Sequence, residues 1–220
     1  MKAITAYVLV LLFWPPPSLA ADELPVNVVR SATDDVLTEL NATPGIRNDP
    51  DKLKLVIQRH IAPHIDFVTL SRLTLGKNWR QATQEQRSLF VREFGRLLVK
   101  VYSTALAGYA NQEIEYLSSK VSADQRRATV RTRILERGQA PLAVDYSLRK
   151  AGDAWKIYDV KIEGISLAIN YRASFAEEIN THGIDGMIER LVMRNTSRNG
   201  EHRASTSIAT SPVRARVLMR

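Results

Sequence analysis

The chain has 220 residues, a formal net charge of +8 and no cysteine. The missing cysteine excludes disulfides, thiolate catalysis and cysteine-based metal centres together. Part of the charge lies in residues 195–220, where Arg198, Arg203, Arg214, Arg216 and Arg220 face only Glu201, and the mildly basic remainder does not by itself indicate nucleic acid.

Residues 1–20 have the layout of a secretory signal. Lys2 is the positive start, residues 6–14 (AYVLVLLFW) the apolar run, and Ser18-Leu19-Ala20 a small-x-small cleavage site. The run is too short to span a bilayer comfortably, so removal of the segment on export is expected. No cysteine follows the cleavage site, so a lipid anchor there is not expected. Residues 21–194 suit one compact domain with a sizeable core. The polar, aromatic-free stretch 195–220 reads as a disordered basic extension.

Val28, Val29, Ala32, Val36, Leu37 and Leu40 form one helical face, ended by Pro44-Gly45. Asp49-Pro50 predicts a second helix start, with Asp49 as N-cap and Pro50 at the first helical position. Its stripe is Leu53, Val56, Ile57, His60 and Ile61, and Pro63 ends or kinks it. Asp66 caps a short third helix with Phe67, Leu70 and Leu73 inward and Gly76 beyond its end. Thr83-Gln84-Glu85-Gln86 fits a capping box and opens the longest helix, to about Ala110. Phe90, Phe94, Leu97, Leu98, Val101, Tyr102, Ala105, Leu106 and Tyr109 keep the three-and-four spacing along it. Gly95 and Gly108 cost helix stability there, which points to close packing against another backbone.

Four strands follow, 113–121, 127–136, 140–149 and 155–163, joined by hairpin-length loops into an antiparallel meander. Ala128, Val130, Thr132 and Ile134 face one way in the second strand, and Leu142, Val144, Tyr146 and Leu148 in the third. In the fourth, Trp155 and Ile157 point one way and Tyr158, Val160 and Ile162 the other. That change of phase implies a bulge or apolar contacts on both faces. Gly164 breaks the strand, and Ser166 caps a helix carrying Leu167, Ile169, Tyr171 and Phe175. A last helix, 184–193, begins after Gly183. The order is α+β. Long helices on one face of a curved meander make a cone, whose open end is a natural pocket.

His60 and His64 have a spacing used by metal sites, but Pro63 lies between them and no third ligand is evident. They are expected to be ordinary helix-end histidines. No G-x-S-x-G elbow, P-loop or dinucleotide fingerprint occurs. Asp159 and Glu163 share a strand face with Lys161, and a solvated or ion-paired face is expected. Arg127, Arg131, Arg133 and Arg149 form an exposed basic face that suits either solvation or docking. The apolar inventory is richer: Val144, Tyr146, Tyr158, Val160 and Ile162 face Leu98, Tyr102, Leu106 and Tyr109 of the long helix. Pattern alone leaves a filled core and a ligand cavity both open.

The stretches LGKNWRQATQEQRSLFVREFGRLLVKVYSTALAGYA (75–110), VRTRI (130–134), VDYSLRK (144–150) and WKIYDVKIEGISLAINYRASFAEEI (155–179) resemble the MlaC family of periplasmic phospholipid-binding, or toluene-tolerance, proteins. The likeness covers roughly residues 25–193 and is most specific in DVKIEGISLAINYR with the following F-A-E-E-I. His182-Gly183 departs from a Gly pair in the family pattern, and the tail after Arg194 has no family counterpart.

The resemblance implies a cone-shaped (NTF2/cystatin-like) fold: a curved four-stranded antiparallel meander packed by several helices around an apolar cavity. It implies a periplasmic, monomeric carrier and not an enzyme, with phospholipid as carried ligand and no cofactor, metal or nucleic acid. Its partners would be an outer-membrane lipoprotein complex and an inner-membrane ABC-transporter complex with a lipid-handling domain. Acyl chains would lie against Leu98, Tyr102, Leu106, Tyr109, Leu142, Val144, Tyr146, Tyr158, Val160, Ile162, Ile165 and Leu167, with the headgroup at the mouth. Two other readings compete: an enzyme of related cone shape with a carboxylate in its cavity, and a protein-binding adaptor with a filled core.

Overall fold

The computed structural model describes residues 24–107 and 112–197. The expected leader, Gly108, Tyr109 and the tail beyond Ser197 lie outside the described residues.

Helix α1 (Pro25–Ala42) buries Val28, Val29, Ala32, Val36 and Leu40, the face its spacing predicts. At the start of α2 (Pro50–Val56), Asp49 accepts hydrogen bonds from the amides of Asp51 and Lys52, both at 3.1 Å. The chain then widens into a π turn at Ile57–Ile61 and tightens into a 3-10 turn at Ala62–His64. Pro63 lacks an amide donor, so a regular α-helix could not continue through it. Asp66 caps α3 (Phe67–Leu75) through the Thr69 amide at 2.8 Å. A single turn, α4 (Asn78–Gln81), precedes α5 (Gln84–Ala107). The capping box forms in both directions: the Thr83 amide donates to Gln86 Oε1 at 2.9 Å and the Gln86 amide to Thr83 Oγ1 at 3.1 Å.

The strands β1 (Glu113–Val121), β2 (Arg127–Leu135), β3 (Leu142–Ala151) and β4 (Ala154–Ile162) form the expected antiparallel meander. A two-residue β5 (Ile165–Ser166) adds a fifth strand beside β4. Helix α6 (Leu167–Thr196) follows, broken at Gly183 (φ 71°, ψ 178°). Only glycine holds that backbone readily, so the expected second helix after Gly183 is a separate segment in geometry.

The apolar interior is divided. Phe90 and Phe94 of α5 meet Tyr171 and Phe175 of α6 edge to face, ring centroids 5.1 to 5.5 Å apart, in a helical core shared with Leu70 and Leu75 of α3. Val28 and Val29 of α1 pack on Ala128, Val130, Leu148, Trp155 and Ile157 of the sheet. A third cluster joins Val36 and Leu40 to Ile46, Leu53 and Val56. Ile169, expected on the buried face of α6, is 54% exposed. Gly95 lies against the Phe67 ring, with an added Cβ meeting it at 3.5 Å, so a side chain and not a backbone occupies the expected close approach.

Candidate functional site

Register builds the inward sheet face. Val130 stands opposite Tyr146, Thr132 opposite Val144 and Ile134 opposite Leu142. Across β3, Leu148 faces Ile157, Tyr146 faces Val160 and Val144 faces Ile162. The register shifts between Ser147 and Leu148, which makes Tyr158 the extra residue of a bulge. Of the two explanations for the phase change in β4, the bulge is the one found. It returns Val160 and Ile162 to the face that Ile157 already occupies.

Packing changes along that face. Val130 and Leu148 are fully buried beneath α1. Toward the other end Leu142, Tyr146, Tyr158, Val160, Ile162 and Ile165 are only half-buried. Tyr146 and Val160 pack against the sheet cluster. Among the described residues, Leu142, Val144, Tyr158, Ile162 and Ile165 belong to none of the three clusters. From the helices, Leu98 and Leu167 are buried in the helical core, with Tyr102 against it, while Leu106 packs on the α1–α2 cluster. The structure therefore spreads the expected lining over three clusters and leaves Leu142, Val144, Tyr158, Ile162 and Ile165 outside them.

Burial pushes the Tyr146 phenol up to about 12; Tyr116 adds to the rise and a hydrogen bond with Thr132 opposes it. The residue as a whole is half-buried, packed against the sheet cluster. Tyr116, opposite Thr132 on β1, completes a phenol–hydroxyl–phenol line across an otherwise apolar face. Burial also raises its phenol, and Arg30 lies 4.0 Å over its ring. Sequence reasoning passed over Tyr116; its alternation with Ile114 was the available signal.

Among the described residues two carboxylates are buried, and both have structural partners. Asp159 was expected on a solvated or ion-paired face. Instead it is 8% exposed, accepting from the Ser166 hydroxyl at 2.6 Å and the Ala168 amide at 3.1 Å. The reason is β5, which brings the start of α6 onto β4. Glu93 of α5 accepts from Arg92 and Arg96, both at 2.9 Å, and from the Asn195 side chain at 3.0 Å. Burial opposes its ionisation, but the Arg92 and Asn195 hydrogen bonds and the Arg96 charge hold its carboxyl below the usual range. Glu163 stays exposed, as expected, and closes the β3–β4 edge by accepting from the Ala143 amide at 2.7 Å. His60 pairs with Glu39 at 2.5 Å, an ordinary helix-end contact.

A separate polar cleft of about 490 Å³ lies between α2, α5 and the end of α6, lined by Asp51, Lys54, Arg96, Lys100 and Asn195 among others. Its cations are engaged: Lys54 with Asp51 at 2.8 Å, Lys100 with the carbonyls of Arg194 and Ser197 at 2.8 and 2.9 Å. This cleft shares no residue with the apolar face.

Comparison with known proteins agrees with the geometry. The sequence pattern of the MlaC protein family matches residues 30–193. The intermembrane phospholipid transport system binding protein MlaC of Haemophilus influenzae is 27% identical over 78% of this chain and 82% of its own. The toluene tolerance protein ttg2D of Pseudomonas putida is 30% identical over 80% of this chain and 83% of its own. Among solved structures, a phospholipid-binding protein from Ralstonia solanacearum, in complex with a phospholipid, superposes with a TM-score of 0.72 at 32% identity. That match covers 79% of this chain and 97% of the other. A shared α+β architecture and a family match over most of the chain lead to one conclusion: this protein is a member of the MlaC family.

Proposed function

We propose that the protein is a non-enzymatic periplasmic carrier that moves a phospholipid between an outer-membrane lipoprotein complex and an inner-membrane ABC-transporter complex. The acyl chains would lie against the half-buried part of the sheet face, with Tyr102, Leu106 and Tyr109 opposite, and the headgroup would stay at the rim. One observation carries this reading. Leu142 and Ile162 adjoin the buried Val144 by register and are themselves half-buried, yet none of the three belongs to a core cluster among the described residues. A half-buried Tyr146 beside them fits a concave wall.

The energetics suit a carrier. Two acyl chains hold roughly 30 methylenes, and exposing them at about 0.8 kcal/mol each would cost ~24 kcal/mol. Both chains must be enclosed during transit. A bilayer is equally apolar, so exchange with it can be near neutral and docking can set direction. The phosphate has the opposite need, because burial without partners is expensive. The engaged states of Glu93 and Asp159 leave neither as a free acid–base group, which supports transport over catalysis.

Native mass spectrometry of exported protein, purified without added lipid, tests the proposal. A carrier arrives with phospholipid mass bound. Bare polypeptide from cells with normal membranes would favour the filled-core adaptor instead.

A further inference from the structure

The outward sheet face carries none of the side chains proposed above to line the lipid site, yet its composition is unusual. Arg127, Arg149 and Lys156 stand directly opposite one another across β2, β3 and β4. Four residues along, past the row of Lys120, Thr129, Ser147 and the buried Asp159, stands the row Arg131, Asp145 and Lys161. Arg133, beyond it, faces Glu115 across β1. Like charges placed directly opposite destabilise a sheet, so the first row opposes folding unless something offsets it.

Part of the offset is internal. Arg149 reaches Asp66 at 2.5 Å, and Lys156 donates to the Pro63 carbonyl at 2.7 Å. The rest stays open to solvent. Arg131 is 54% and Arg133 51% exposed, and their carboxylate neighbours Asp145 and Glu115 lie at 3.8 Å, beyond hydrogen-bond range. Arg127 and Lys161 are exposed as well.

We infer that this face docks the protein onto an anionic lipid surface. Charge complementarity requires an acidic occupant, and the shape of the patch selects which kind. A protein partner would call for an apolar or aromatic anchor within the patch. Among the described residues, none of the exposed large apolar side chains stands in these rows. What remains is an array of long cationic side chains, roughly 5 Å apart across strands, in rows about 13 Å apart along them. Such a spread suits many mobile headgroups, each cation adding its own increment of attraction. The inference is independent of what the apolar interior holds.

Sedimentation with vesicles tests it, using the full chain throughout so that the basic tail is constant. Wild type should pellet with phosphatidylcholine vesicles containing about one third phosphatidylglycerol, and not with phosphatidylcholine alone. Binding should vanish near 1 M salt, where screening acts within ~3 Å. Arg127→Gln/Arg131→Gln/Lys161→Gln should weaken partitioning by on the order of a hundredfold, at roughly fivefold per cation. Asp145→Asn should strengthen it by about fivefold, a gain that misfolding would not imitate. The inference is overturned if the triple variant pellets like wild type, or if Asp145→Asn binds no better. It is equally overturned if wild type ignores anionic vesicles at low salt, the result expected of a face made for an acidic protein.

Discussion

Asp159 offers the sharpest test of how the site is held. Its carboxylate takes the Ser166 hydroxyl at 2.6 Å and the Ala168 amide at 3.1 Å, while Ser166 Oγ accepts from the Ile169 amide at 3.2 Å. One side chain thus positions the N-cap of α6 and satisfies a buried amide as well. Asp159→Ala should remove about 1 kcal/mol of capping and leave the Ala168 amide unpaired at a further 1–3 kcal/mol, roughly. The total, about 2–4 kcal/mol, corresponds to a fall in Tm of roughly 5–15 °C for a domain of this size. Asp159→Asn keeps an acceptor for the amide but loses the charge at the helix N-terminus, so about 1 kcal/mol is expected. Thermal unfolding gives both values, and hydrogen exchange at Ala168 and Ile169 localises the effect. If Asp159→Ala lay within about 0.5 kcal/mol of wild type, or matched Asp159→Asn, the capping argument would be wrong.

The remaining predictions address loading and pH. Tyr146→Lys or Val160→Asp should leave a folded protein that purifies without phospholipid, because the half-buried positions tolerate charge only while water reaches them; unchanged lipid content by mass spectrometry would count against the proposed lining. Partial burial of Asp66 opposes ionisation, but the Thr69 amide and hydroxyl and Arg149 outweigh it and hold its carboxyl low. A depressed folded-state pKa stabilises above the unfolded value near 4 and is lost as pH falls through the folded one. Asp66→Asn should therefore be less stable than wild type at neutral pH, with the gap closing below about pH 4; a gap constant down to acid pH would refute the assignment.

Local signals were legible in the sequence and long-range ones were not. The Asp49 cap, the Thr83–Gln86 box and the inward alternation of β2 and β3 each depend on residues a few positions apart, and all three form as read. The Asp159 site depends on β5 folding back onto β4, a pairing two residues long with no pattern to announce it. Arg149 looked like one more solvent-facing cation because its partner, Asp66, lies 83 positions away. Glu93 drew no notice in the sequence, because Asn195, which donates to it from the end of α6, lies 102 positions away. The bulge was half legible: the phase change required either it or a two-sided strand, and only pairing with β3 decides. Cavity and filled core share one hydrophobic pattern, so periodicity could never have separated them.

A volume-filling substitution does separate them. Leu148 is 0% exposed and packed beneath α1, so Leu148→Trp must overpack it, at a cost of typically 1–3 kcal/mol. Ile162 lies on the same face, opposite Val144, but half-buried and outside every described cluster. If the space beside it is reserved for acyl chains, an indole fits there without strain. Ile162→Trp should then keep wild-type stability once lipid is removed, while excluding lipid from the pocket. A filled core predicts the reverse: destabilisation comparable to Leu148→Trp, and no lipid to lose. Delipidated unfolding curves beside lipid content by mass spectrometry distinguish the two outcomes, because the carrier reading requires the bulkier residue to cost function and spare the fold.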